Sequence, residues 1–432
     1  MKHSRISVED PKSLGFDPDR LEKIAPAMQA FVEDQRLPNI VTLVARKGRV
    51  AHLHAYGVQS LETGKEVSSG TLFRLYSNTK PLAAVAMLIL FERGILTPDD
   101  PVSRFVPELS DLPVVKPDGT LEKSKRDINI RDCLTNFTSL MVTDSQHSAL
   151  GLPWHYHEEY RKTLETLGWI GSETSKRVSN SPRHYQNGFP PINSPECMAA
   201  IAKIPLADHP GRKYVYHAGF PILGAVLEAA AGKDMGQFFK EEIFEPLGMI
   251  DSDFYVNQDK VNRFPPCYIA KKIDGKAQLV LQESVETSEK VTGPRVNFGI
   301  GGDMGGVVST ITDYARFGQM LLNGGELEGA RILGRKTVDL MLANHSGDKI
   351  ISKLGAGSYF GLGVSVYHGE NAKPRISSRG TYGWGGMAGT MYFADPKEHL
   401  LGLCFTQVVD AQIIPKNNYY ETFQRLVYQA LE

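Results

Sequence analysis

Cysteine is scarce in this chain: Cys133, Cys197, Cys267 and Cys404 are the only four in 432 residues. They stand far apart, with no CxxC pair and no Cys/His cluster, which argues against both a disulfide framework and a zinc site. Reduced, buried thiols are expected instead. Net charge is nearly absent too. With a formal value of −1 and both signs mixed along the chain, there is no electrostatic case for a nucleic acid or an anionic membrane as partner. Long apolar runs are missing. The longest, from Pro81 to Phe91, falls short of the about 20 residues needed to cross a bilayer. No apolar stretch follows Lys2, His3 and Arg5, so no secretory signal is visible and a soluble cytoplasmic protein is expected. The chain has no GxSxG elbow, the turn that presents the serine of α/β-hydrolases. The glycine-rich stretch from Gly299 to Gly306 lacks the Lys-Ser/Thr ending of a phosphate loop and reads as a close backbone turn. These absences leave a small-molecule substrate, with no metal and no cofactor.

What is present suffices for a large core. At 41% hydrophobic and 22% charged, a chain of this length is expected to form two lobes sharing a cleft. Residues 18–32 carry Leu21, Ile24, Met28 and Phe31 at helical spacing. Ile40–Ala45 and Val50–Tyr56 read as a β-hairpin around Arg46-Lys47-Gly48-Arg49. His52 and His54 alternate with apolar residues there, and are expected on the solvent face. Helical patterns dominate from Leu96 to about Pro246, with Gly219–Ala231 and Met235–Phe244 among them, and return in Thr312–Asn323. Strands return at Phe360–Tyr367, Gly389–Ala394 and Leu400–Phe405, and a helix from about Asn418 to Leu431 closes the chain. Strands near both ends with helices between imply one sheet assembled from the two termini. The expected division is an α/β domain of residues 1–76 and 290–432 and a mostly helical domain of 77–289. An insertion around 151–195 reads either as a flap shaping an entrance or as a surface excursion.

The stretch with chemistry in it is Thr71-Leu72-Phe73-Arg74-Leu75-Tyr76-Ser77-Asn78-Thr79-Lys80-Pro81, which runs into an apolar helix. Ser77 and Lys80 lie one turn apart on one helical face, the geometry of a nucleophile and its base. Pro81 suits a first turn, and the helix dipole favours negative charge at Ser77. The same Ser-x-x-Lys spacing recurs at Ser346 and Lys349, where Asn344-His345 before it and Gly347 within it suggest a surface turn.

Phe73–Lys80 resembles the nucleophile motif of the serine β-lactamase and penicillin-binding-protein superfamily. The chain looks most similar to its esterase branch, the family VIII carboxylesterases related to class C β-lactamases. The likeness extends through Ile128–Thr135, Glu245-Pro246-Leu247-Gly248-Met249 and Gly301-Gly302 to Ser309–Gly318. It implies an α+β fold: an antiparallel sheet built from both termini and flanked by helices, with an inserted helical lobe.

The resemblance also implies a catalytic tyrosine. Tyr185-Gln186-Asn187 and Tyr255-Val256-Asn257 match the lactamase Tyr-x-Asn form. Tyr216-His217-Ala218 follows Pro210-Gly211 and leads directly into a helix, as the family's tyrosine does, and Tyr216 is the choice. Ala218 stands where lactamases have asparagine, in agreement with the esterase branch. His217 departs from the small residue usual there, and either lines the cleft as a substrate contact or is a packing or surface histidine. Asn136-Phe137-Thr138-Ser139 stands where the family reads His-Thr-Ser-Gly. Trp384-Gly385-Gly386-Met387 takes the position of the lactamase Lys-Thr-Gly, which exchanges a lysine for an apolar face with one N–H donor. Trp384, Gly385 and Gly386 are thus implied substrate-binding residues at an edge strand, Trp384 otherwise being a core aromatic. The backbone N–H groups of Ser77 and Met387 are implied as the oxyanion hole. The expected activity is hydrolysis of neutral carboxylic esters through an acyl-enzyme on Ser77. β-Lactamase or peptidase activity, acyl transfer and a non-enzymatic binding protein are the alternatives, and whether Lys80 or Tyr216 is the formal base stays open.

Overall fold

The computed structural model describes residues 7–140, 193–293, 300, 305–349, 351, 354–355, 357–369 and 375–432. Its centre is a seven-stranded antiparallel sheet. In spatial order the strands are Ser358–Phe360, Ser365–Tyr367, Tyr382–Gly385, Met391–Asp395, Leu400–Phe405, Asn39–Arg46 and Arg49–Gly57. The first hairpin of the chain therefore joins the last strands, Leu43 facing Leu403 and Val41 facing Phe405. Strand alternation sends Val41, Leu43 and Ala45 to one face and Ile40 and Val44 to the other, and both faces are covered. On the first lie the helices Thr79–Glu92 and Ile311–Leu322. On the second, Ile24, Met28 and Phe31 of the helix Ile24–Glu33 meet Phe423 and Val427 of the helix Tyr419–Gln429. The first helical stretch of the chain divides at Lys23 into Pro18–Glu22 and Ile24–Glu33, with Leu21, Ile24, Met28 and Phe31 all buried.

Several expectations change. His52 is 5% exposed and hydrogen-bonds to Thr42, because its face of the hairpin is the one covered by the second helical layer, while His54 beside it is exposed. The run Phe360–Tyr367 is two strands around a turn at residues 361–364, where Gly363 takes φ +75°. Tyr382–Gly385 lies inside the sheet and is not an edge strand. Its neighbour Ser365–Tyr367 pairs with its first two residues, Tyr382 and Gly383, which leaves Trp384 and Gly385 without a ladder partner on that side among the described residues. A hairpin absent from the strand reading, Cys267–Ile273 with Lys276–Glu283, joins Val408–Val409 in a separate three-stranded sheet. Ser346 is fully buried rather than on a surface turn. Its Oγ donates to Asn344 and accepts from the Phe360 amide.

Tyr185 and residues 151–192 of the expected insertion lie outside the described residues, as does the glycine-rich stretch except Ile300, Gly305 and Gly306. All four cysteines are buried, and none of them forms a disulfide. Among the described residues no helix is long and apolar enough to cross a membrane.

Candidate active site

From Thr71 to Leu90 every residue is buried except Ser77. The α-helix itself begins at Thr79, and Ser77 occupies the 3₁₀ turn Tyr76–Asn78 that feeds it. The spacing still brings the two side chains together, with Lys80 Nζ 3.1 Å from Ser77 Oγ. Tyr76, just before the serine, takes φ +46°, a left-handed backbone that a bulky residue adopts only where its surroundings impose it. Those surroundings come from the C-terminal half of the chain. Leu75 N donates to Val307 O, Val307 N to Thr79 Oγ1, and Tyr314 OH to Asn78 O.

Tyr216 reaches the same point from the helical part, its hydroxyl donating to Ser77 Oγ at 2.9 Å. It sits just before the helix Gly219–Ala231, which packs on the helices Ile130–Thr135 and Thr79–Glu92. Packing on the first is close: a Cβ at Gly219 would lie 2.4 Å from Cys133 Cα. Tyr255 is instead buried in the core with its ring facing Lys290.

Lys80 is 1% exposed. Besides Ser77, its Nζ lies 3.1 Å from His217 Nδ1 and about 5 Å above the rings of Tyr216 and Phe220. The contact with His217 was not legible in the sequence. His217 takes φ +87° and its backbone N–H donates to Asn136 Oδ1 at 2.8 Å. Asn136 is the left-handed C-cap of its helix, and its carbonyl also accepts from Val215 N. The departure from His-Thr-Ser-Gly therefore places an asparagine that steers the chain past Tyr216. An asparagine directly after a short capped helix is the signal that could have found it.

The third side of the site is the turn after Trp384-Gly385. Gly389 N donates to Gly386 O and Gly386 N to Thr390 O, closing it. Thr390 Oγ1 then donates to Leu75 O, and Asn78 Nδ2 to Thr390 O. A Cβ at Gly386 would stand 2.2 Å from Leu75 O, so only glycine allows this approach. Met387 is thereby carried beside the Ser77 turn. Trp384 is 8% exposed, with its ring 5.2 Å from Phe360 and 6.1 Å from Tyr216. Its Nε1 has no hydrogen-bond partner among the described residues. A serine hydroxyl held between a phenol and an amine, beside a backbone turn, is a constellation able to attack a carbonyl and carry an acyl group.

A model of the Beta-lactamase family matches residues 24–412. Protein Rv1367c of Mycobacterium tuberculosis is 30% identical over 387 residues, 86% of each chain. A putative D-alanyl-D-alanine carboxypeptidase of Escherichia coli K12 is 23% identical, covering 92% of this chain and 85% of its own. Esterase EstB of Burkholderia gladioli is 28% identical over 57% of this chain and 54% of its own. The solved structure of EstCE1, described as a hydrolase with promiscuous acyltransferase activity, superposes with a TM-score of 0.72 at 22% identity, over 95% of this chain and 99% of that one.

Proposed function

The chain belongs to the Beta-lactamase family, and from that premise we propose that it is a serine carboxylesterase of the family VIII type, cleaving neutral esters of short to medium acyl chains. The observation that carries this reading is the convergence on one accessible hydroxyl, with Tyr216 OH at 2.9 Å and Lys80 Nζ at 3.1 Å from Ser77 Oγ. Ser77 attacks the ester carbonyl as its proton passes to the Lys80–Tyr216 pair. The tetrahedral oxyanion rests on the amides of Ser77 and Met387. Tyr216 returns the proton to the departing alcohol, and water then releases the acid from the acyl-enzyme.

Neutral substrates are favoured because Trp384 stands where lactamases place a lysine, and its N–H is a donor without a positive charge. Likeness to an esterase, EstB, supports the same choice. Acyl transfer is a second reading, favoured by the likeness to EstCE1 and differing only in the acceptor that deacylates Ser77.

The test is release of p-nitrophenol from a short-chain ester by the wild type and by Ser77→Ala. Loss of turnover in the variant, with kcat/KM for the ester well above that for an anionic β-lactam, is expected. Undiminished turnover would remove Ser77 from the mechanism. Adding an alcohol acceptor separates hydrolysis from transfer, since a transferase diverts most of the acyl groups to it.

A further inference from the structure

Lys80 poses a problem of placement. Its stem has four rotatable carbons, its ammonium carries three donors, and it lies 1% exposed in the core. A buried amine of this kind needs acceptors to hold it in one place. One is Ser77 Oγ, which is also the group it must act on, so that contact alone cannot fix its direction through a reaction in which Oγ moves. The ring of His217 supplies another, with Nδ1 at 3.1 Å.

We propose that His217 is a positioning residue for Lys80: its Nδ1 accepts a Lys80 N–H and keeps Nζ aimed at Ser77 Oγ through acylation and deacylation. This rests on the reading of Lys80 and Tyr216 as the base pair of an acyl-enzyme mechanism. Three features of the fold serve this contact. His217 holds φ +87°, a conformation that a non-glycine residue adopts at a cost and that collects at functional positions. The Asn136 side chain holds the His217 backbone N–H at 2.8 Å. The helix beginning at Gly219 packs too closely on Cys133 for the segment to slide. The chain is bent at His217 so that Tyr216 and His217, adjacent in sequence, reach Ser77 and Lys80 respectively. An acceptor at Nδ1 requires the tautomer with its proton on Nε2.

The substitutions that test this follow from counting bonds. Asparagine places its Oδ1 as many bonds from Cα as histidine places Nδ1, and it tolerates a left-handed backbone. His217→Asn keeps the acceptor, whereas His217→Leu fills similar space without one. Steady-state kinetics on a p-nitrophenyl ester should show His217→Leu losing about tenfold to a hundredfold in kcat with KM nearly unchanged, the signature of a misaligned reacting group. His217→Asn should stay within about threefold of the wild type. Should the leucine variant fail to fold by circular dichroism, His217→Gly, which accepts the backbone angle without strain, takes its place with the same expected loss. Full kcat in the leucine or glycine variant would overturn the proposal, as would an asparagine variant as impaired as either. Ser77→Ala run alongside keeps the two readings apart: an active Ser77→Ala defeats the nucleophile assignment itself, whereas an inactive Ser77→Ala with a fully active His217→Leu defeats only the role of His217.

Discussion

At the scale of single residues, histidines illustrate how burial decides behaviour. His52 sits in the sheet with Nε2 2.8 Å from Thr42 Oγ1, and burial, reinforced by His54, lowers its pKa from 6.5 to about 3. The folded value lies below the unfolded one, so between pH 6.5 and about 3 the unfolded chain takes up a proton that the native chain refuses. Stability contributed by the neutral ring is present above that window and lost as the pH falls through it, by up to about 1.4 kcal/mol per pH unit. His52→Gln can still hydrogen-bond to Thr42 but does not titrate. Its drop in urea midpoint from pH 7 to pH 5 should be smaller than that of the wild type, and an equal drop would assign the acid sensitivity to other groups. Alternation along the strand correctly put His52 and His54 on one face. It carried no information on where the covering helix ends, which is why one ring is buried and the other is not. The contact of His217 with Lys80 was hidden for a related reason: it depends on a left-handed bend that only the neighbouring helices impose.

At the scale of elements, the turn after Trp384 matters more than the strand it ends. It is pinned to the Ser77 turn by Thr390, Leu75 and Asn78, and Gly386 is where the two backbones nearly touch. In Gly386→Ala the new methyl meets the Leu75 carbonyl, so the turn must move and take the Met387 amide with it. About a hundredfold loss in kcat is expected in ester hydrolysis, the order found when an oxyanion donor is displaced, with the fold intact by circular dichroism. Unaltered kcat would mean that the Met387 amide does not serve the reaction. Strands with strong apolar patterns, such as Leu400–Phe405, were legible in the sequence, and so was the helix Gly219–Ala231. The hairpin Cys267–Glu283 was not, because Lys271, Lys272, Lys276 and Gln278 dilute its pattern. The pair of short strands around Gly361–Val364 merged into one because a turn built from Gly-Leu-Gly-Val keeps an apolar composition.

At the scale of the whole molecule, the candidate site is a junction of three distant segments, residues 75–80, 214–217 and 384–390. Motif likeness named all three, but spacing alone could offer only Ser77 with Lys80 and the structural pair at Ser346. Behind the junction Arg74, fully buried, donates to Pro265 O and pairs with Glu283 at 3.0 Å while covering the Phe264 ring. It ties the Ser77 segment to the Cys267–Glu283 hairpin. Glu283→Gln strands that guanidinium in the core, and a loss of about 3–5 kcal/mol is expected in urea unfolding. The double variant Arg74→Met, Glu283→Leu should recover most of it, and a single variant as stable as the wild type would show the pair to be dispensable. The pairing of Asn39–Arg46 with Leu400–Phe405 also has a meaning in time. On the ribosome the first hairpin emerges with its inner edge, Ile40 to Ala45, unpaired, and stays so until some 350 further residues have been made, tens of seconds at ordinary rates of synthesis. An apolar strand edge open for that long invites pairing with other chains. Completion of the sheet is therefore expected to be a late, post-translational event, and nascent chains released before residue 400 should depend on chaperones to stay in solution.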